Sequence, residues 1–220
     1  LGVLAAMWWM PGSAAGKTIF IICKAVLLLL PVLWHLLVLK GKLSFSPMKS
    51  GGILFGVWTG LLIASAIIAA WHFYASKAVD LGEMRSALSA LGLGNKASYI
   101  AGCIYWCTMN SILEEYVWRW FVFMQSRLLL GGAGAVVFSA AAFTVHHGFA
   151  LAAYFPWHLV ALCCLGIYVG AAVWSYAYKR YSSVWPGYIS HVFADIAIFD
   201  PGFHPWRTLI GGRWVDWDKE

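Results

Sequence analysis

Charge is scarce in this chain. Of its 220 residues, 11% are Asp, Glu, Lys or Arg, and 62% are hydrophobic. A water-soluble domain carries about 25% charged residues. The composition therefore excludes an ordinary soluble enzyme and points to a single membrane-embedded domain over 1–220. Other signals are missing too. No basic stretch precedes residues 1–10, which read as the end of a helix or an interfacial segment rather than a signal peptide. There is no internal repeat and no low-complexity segment. The cysteines (Cys23, Cys103, Cys107, Cys163 and Cys164) lack zinc-finger spacing and all lie in apolar runs, where they read as small buried hydrophobes. A net charge of +6 does not imply a nucleic-acid partner here. The basic residues stand singly or in pairs at the ends of apolar runs, as topology determinants do.

What the chain has is apolar length. A hydrocarbon core needs about 20 apolar residues per helix. Six stretches approach this: 18–39, 51–75, 97–124, 133–153, 157–178 and 184–200. The expected fold is all-α, a polytopic transmembrane bundle of about six spanning helices with a polar site in its core. The breaks are legible. Lys40-Gly41-Lys42 through Lys49-Ser50-Gly51-Gly52 forms a basic loop, and 76–96 an amphipathic interfacial segment. Gly131-Gly132-Ala133-Gly134 is a turn, and Phe155-Pro156-Trp157 starts a helix. Lys179-Arg180-Tyr181-Ser182-Ser183 is a basic turn, and 201–220 a polar, Trp-rich tail. Fourteen Trp and ten Tyr suit a chain with many membrane–water interfaces. Lys and Arg in loop 40–50, at Arg127 and at Lys179-Arg180 place those loops in the cytoplasm. Segment 76–96 and the C-terminus then lie outside.

Against that background a few polar residues stand out. A charged side chain at the bilayer centre costs about 2.5–3.5 kcal/mol on insertion scales, so a cluster of them marks a functional site by default. Glu114, Glu115 and Arg119 form such a cluster. Glu115 and Arg119 are i and i+4 and share a helix face, while Glu114 lies about 140° around the helix from Arg119. Arg119 therefore neutralises Glu115, and Glu114 is freer for chemistry. The same pattern also fits an ion pair that only locks helices together. The next apolar stretch carries His146-His147, whose side chains point about 100° apart. The last carries His191 and Asp195 at i and i+4, where Asp195 can accept a hydrogen bond from the imidazole. This pair also fits plain helix–helix glue. Read together, the three elements lie at similar depth on consecutive helices, over a core of 100–200, and favour a shared polar pocket.

The order of these motifs resembles the CPBP family of intramembrane proteases, which includes the endopeptidase that trims prenylated CAAX proteins and bacterial bacteriocin-processing or immunity proteins. The residues carrying the resemblance are Glu114-Glu115-Tyr116-Val117-Trp118-Arg119, Phe143-Thr144-Val145-His146-His147 and His191-Val192-Phe193-Ala194-Asp195. The stretch Ser183-Val184-Trp185-Pro186-Gly187 also looks familial. Phe143 stands four residues before His147, so the resemblance selects His147 over His146. It implies a glutamic-type hydrolase, an intramembrane endopeptidase in which Glu114 and His147 activate water. Glu115, paired with Arg119, orients the site. His191 donates to the oxyanion, and Asp195 holds His191. Many members carry Asn at this last position. An ionised Asp cannot donate, so Asp195 is a positioning group.

No cofactor and no metal are expected, and no HExxH motif is present. A zinc-dependent version holding the ion at Glu114, His147 and His191 is the alternative chemistry. The expected partners are the lipid bilayer and a membrane-anchored protein or lipidated peptide, cut near its membrane-associated, C-terminal part. The expected location is the inner membrane of a prokaryote. Two other functions compete. A non-proteolytic binding or immunity protein would keep the pocket. A proton-relay transporter would use the same buried groups, but no inverted repeat or paired broken helix supports it.

Overall fold

Long apolar runs with no internal polar face are stable only as helices, because a helix satisfies its own backbone groups. The computed structural model describes residues 1–42, 46–207, 209–210 and 213–214. Its helices are α1 (Gly2–Leu4), α2 (Ala14–Leu33), α3 (Gly52–Ala70), α4 (Ser76–Ala78), α5 (Leu81–Ala90), α6 (Lys96–Tyr105), α7 (Ser111–Glu115), α8 (Met124–Leu151), α9 (Trp157–Tyr181) and α10 (Trp185–Arg207). Wider turns with i→i+5 hydrogen bonding join several of them: Ala5–Trp9, Trp34–Val38, Trp71–Ala75, Trp106–Asn110 and Tyr116–Phe123. Such turns are rare in general and recur at functional sites.

Among the described residues, four helical runs are long and apolar enough to cross a bilayer: Ala14–Val38, Gly52–Ala78, Lys96–Leu151 and Trp157–Tyr181. The chain is an all-α, polytopic membrane protein. The count differs from the expected six for two reasons. First, 97–124 and 133–153 lie in one run of 56 residues. At about 1.5 Å per residue a straight run of that length would reach about 84 Å, far beyond a hydrocarbon core of about 30 Å. The expected turn is instead a kink at Gly131, with φ 67° and ψ 178°, a conformation essentially restricted to glycine. Second, α10 is long enough but is diluted by Pro186, His191, Asp195, Asp200 and Pro201.

Contacts group the chain into two units, Leu1–Gly56 with Ile112–Tyr188, and Val57–Ser111 with Ile189–Glu220. In the first, α8 packs along α9. Both helices bury small residues: Ala135, Ser139 and Ala140 on α8, and Gly170, Ala171 and Ala177 on α9. Small side chains let apolar helices approach closely where burial from water supplies no driving force. The turn Tyr116–Phe123 lies against both helices, pinned by a 2.8 Å hydrogen bond from Ser139 Oγ to the Trp118 carbonyl. Phe123, Ala135, Tyr178 and Val184 form a core there, flanked by Ile112, Trp120 and Val136. Large apolar residues such as Leu128 and Leu129 remain exposed, as a lipid-facing surface requires. α9 starts after Pro156, as the sequence suggests, and ends at Ser182 in the left-handed conformation.

In the second unit Tyr99 is buried and its hydroxyl donates to the Phe199 carbonyl at 2.7 Å, which ties α6 to α10. The mixed-charge segment 76–96 contains α5, capped by Asp80 Oδ1 accepting from the Gly82 and Glu83 amides at 2.7 and 3.1 Å. Asn95 Oδ1 caps α6 through the Ser98 amide. The expected tail at 201–220 begins later, since α10 continues to Arg207. Beyond it Leu209–Ile210 pairs antiparallel with Arg213–Trp214. The rest of the tail, and residues 43–45 of the basic loop, lie outside the described residues.

Candidate active site

The first cluster is built where α7 passes into the wide turn Tyr116–Phe123. Glu115 and Arg119 are both fully buried, with Arg119 Nε 3.4 Å from Glu115 Oε2. Arg119 Cζ lies 4.8 Å from the Phe143 ring centroid and 5.1 Å from that of Trp174. No nitrogen of Arg119 makes a hydrogen bond among the described residues. The guanidinium is therefore held by charge and by two aromatic rings, which attract a cation most strongly when water is excluded. Glu115 is also confined by the start of α10. A Cβ at Gly187 would collide with its carboxylate and lie 3.4 Å from Trp174 Cβ. Only glycine lets the start of α10 pass this close, which gives the Ser183–Gly187 stretch a physical role.

Glu114 faces a different partner. His147 Nε2 lies 4.0 Å from Glu114 Oε1, and His147 Nδ1 lies 2.9 Å from the Phe143 carbonyl oxygen. A carbonyl only accepts, so Nδ1 carries the proton, and in the neutral ring Nε2 presents a lone pair. Phe143 thus serves both acidic residues. Its carbonyl sets the His147 tautomer, and its ring packs on the guanidinium that neutralises Glu115. The His147 ring packs against the Phe143 ring in turn, tilted by 36° at a centroid distance of 4.2 Å.

His146 is nearer to this chemistry than its sequence position suggests. It lines a small cavity of about 10 Å³ together with Lys24, Leu113, Glu114, Val117 and Trp118. The two imidazoles meet edge to face at 5.2 Å, so Glu114 lies among both. Lys24, a cation inside the apolar α2, belongs to no motif, and sequence reasoning does not place it at the site. Its one signal in the sequence is the cost of intramembrane charge.

The second cluster lies in the other unit. His191 is buried and its Nε2 is 3.7 Å from Asp195 Oδ1. That is beyond hydrogen-bonding distance. Asp195 instead makes its short contact with Ser111, whose Oγ lies 2.6 Å from Asp195 Oδ2 and 2.8 Å from the Trp106 carbonyl oxygen. Ser111 is fully buried and has one proton to share between these acceptors. In the sequence it is visible only as a helix-face neighbour of Glu115.

Among the described residues, no three His, Cys, Asp or Glu side chains gather closely enough to hold a metal ion. Residues 96–197 match the family model "Type II CAAX prenyl endopeptidase Rce1-like". The match contains all three motifs and is consistent with the CPBP resemblance. No curated protein and no solved structure matches the chain.

Proposed function

We propose, from the premise that this membrane chain carries an Rce1-like CAAX endopeptidase core, that it hydrolyses a peptide bond inside the bilayer with water activated by Glu114 and His147. The bond lies near the C-terminal, membrane-associated part of a lipidated or membrane-anchored protein. The observation that carries this reading is the 4.0 Å gap between Glu114 Oε1 and His147 Nε2. Both atoms are acceptors when the carboxylate is ionised and the ring neutral. Two acceptors at that spacing suit one water that donates a proton to each. With hydrogen bonds of about 2.8 Å the angle at the water oxygen is about 90°, close to its preferred geometry. The adjoining cavity of about 10 Å³ is near the size that admits a single water.

In the reaction the water oxygen bonds to the peptide carbonyl carbon and its proton passes to Glu114. The carbonyl oxygen takes up the negative charge. When the tetrahedral species collapses, the C–N bond breaks and Glu114 returns the proton to the leaving amine. Glu115 and Arg119 hold the helix turn that presents Glu114. His191 donates to the oxyanion, a role supported by the motif order, and the Ser111–Asp195 contact steadies its helix face.

The test is turnover of a lipidated or membrane-anchored peptide by purified protein in bilayers. Glu114→Gln keeps the shape but accepts no proton, and general-base losses are about 10²–10⁴-fold. Turnover near wild type in Glu114→Gln sinks the assignment.

A further inference from the structure

The first unit carries its exposed charge unevenly. Among its described residues every exposed charged side chain is a cation, and its carboxylates, Glu114 and Glu115, both belong to the candidate site. Lys40, Lys42, Lys49, Arg127, Lys179 and Arg180 are exposed on segments that meet at one end of the unit. Lys17 stands apart from them, in the first turn of α2. Several contacts show the segments meeting. Ser46 Oγ accepts from the Val184 amide at 2.9 Å, which joins the basic loop to the start of α10. A Cβ at Gly52 would lie 2.9 Å from Pro186 Cγ and 3.5 Å from the Tyr181 ring. A Cβ at Gly132 would lie 3.0 Å from Lys179 Cε, so that side chain passes over the kink in α8. Arg127 lies about one helical turn before the kink.

The backbone at this end is also unusual. Among the described residues, the non-glycine residues in the left-handed conformation are Lys40, at φ 51°, and Ser182, at φ 47°. Glycine adopts that conformation with less strain. Retaining lysine there favours a role for its charge. Cations gathered without carboxylates repel one another, and an anionic partner relieves this. Exposed apolar residues flank them: Leu39 and Met48 beside the lysines, and Leu128, Leu129 and Leu130 after Arg127. A complementary partner has an anionic head and an apolar body, and lies in the plane of the bilayer. An acidic protein or free phosphate offers the charge alone.

We infer that this end of the first unit, formed by the basic loop, the Gly131 kink and the α9–α10 turn, is a binding surface for anionic phospholipid headgroups. Clusters of Lys and Arg next to membrane helices attract such lipids, by about fivefold in affinity for each basic residue near the surface. The surface stands independently of the endopeptidase reading. Bound lipid holds the basic loop, whose Ser46 caps the Val184 amide. Gly187, three residues further on, lies against Glu115. The lipid composition of the leaflet thereby bears on the buried Glu115–Arg119 pair.

The experiment measures Tm of the purified full chain in neutral detergent while dioleoylphosphatidylglycerol or dioleoylphosphatidylcholine is added. A lipid that binds the folded state raises Tm. Phosphatidylglycerol should raise it at mole fractions where phosphatidylcholine does not, and the effect should fade as salt screens the charges. In the double variant Lys40→Gln with Lys42→Gln, the phosphatidylglycerol needed for the same rise should increase about 25-fold. Lys179→Gln with Arg180→Gln should behave alike, because both pairs belong to one surface, and Lys17→Gln should change nothing. All these side chains are exposed, and Tm without lipid checks that the variants fold. An equal rise with the two lipids, or one that salt does not weaken, overturns the inference. So does a loss in Lys17→Gln as large as in the double variants, which would mark a diffuse effect of net charge. A matching rise with inorganic phosphate or glycerol phosphate also overturns it and makes the surface a site for free phosphate.

Discussion

His147 donates its Nδ1–H to the Phe143 carbonyl oxygen at 2.9 Å, and so turns the other ring nitrogen toward Glu114. A histidine whose tautomer is fixed can serve as a water acceptor without first rearranging. His147→Ala should therefore lower kcat by about 10²–10⁴-fold. His146→Ala should change kcat by less than about tenfold and act mainly on KM, because that ring lines the cavity wall. Steady-state kinetics on both variants checks the ranking, and the reverse order would move the water to His146.

The Glu115–Arg119 pair lies wholly out of solvent. Removing one partner strands the other charge, a loss of about 3–5 kcal/mol for buried pairs. Arg119→Ala should show that loss in unfolding measurements. Arg119→Lys should be intermediate, about 1–2 kcal/mol, because the charge stays but the planar stack on Phe143 and Trp174 does not. An Arg119→Ala protein that unfolds like wild type would remove the supporting role given to the pair.

Gly187 is a close-packing position, so its substitution should act through Glu115. Gly187→Ala forces the carboxylate or the start of α10 to move, and overpacking of this kind costs about 1–3 kcal/mol. Combined with Arg119→Ala the losses should not add, since both act on one side chain. A double-mutant cycle on unfolding free energy decides this, and simple additivity would separate the two contacts.

For His191 the expected effect is on the transition state. Loss of one oxyanion donor lowers kcat by about 10²–10³-fold, so His191→Ala should do this with KM little changed. Asp195→Asn should be mild, because Asn still accepts from Ser111. Asp195→Leu should approach His191→Ala. If folded His191→Ala keeps its full kcat and only melts earlier, the residue is helix glue.

The residues that break a rule are the ones legible in the sequence. Glu114, Glu115, Arg119, His191 and Asp195 are conspicuous because charge is expensive in apolar runs, whereas His147 is singled out from His146 only by the family resemblance, through its spacing from Phe143. Lys24 breaks the same rule but stands outside any motif. Gly187 and Ser111 are small residues of ordinary appearance, and their roles come from what lies across from them. The wide turn Tyr116–Phe123 has no compositional mark, because its pattern of apolar residues reads equally well as a regular helix. The break between 97–124 and 133–153 is also legible, as the glycines at 131–134, but the sequence reads it as a turn where the structure has a helix kinked at one glycine.

That bend constrains how the chain tolerates change in length. Between Arg119 and Phe143 the backbone runs as continuous helix, interrupted only at Gly131. Loops absorb insertions and deletions, but a helix converts each one into rotation, about 100° per residue. Deleting a single residue between Gly134 and Phe143 would swing the His147 ring off Glu114 and carry the Phe143 ring off Arg119 in the same motion. The spacing of these two motifs is therefore mechanically geared, and viable length variation belongs outside the segment that joins them.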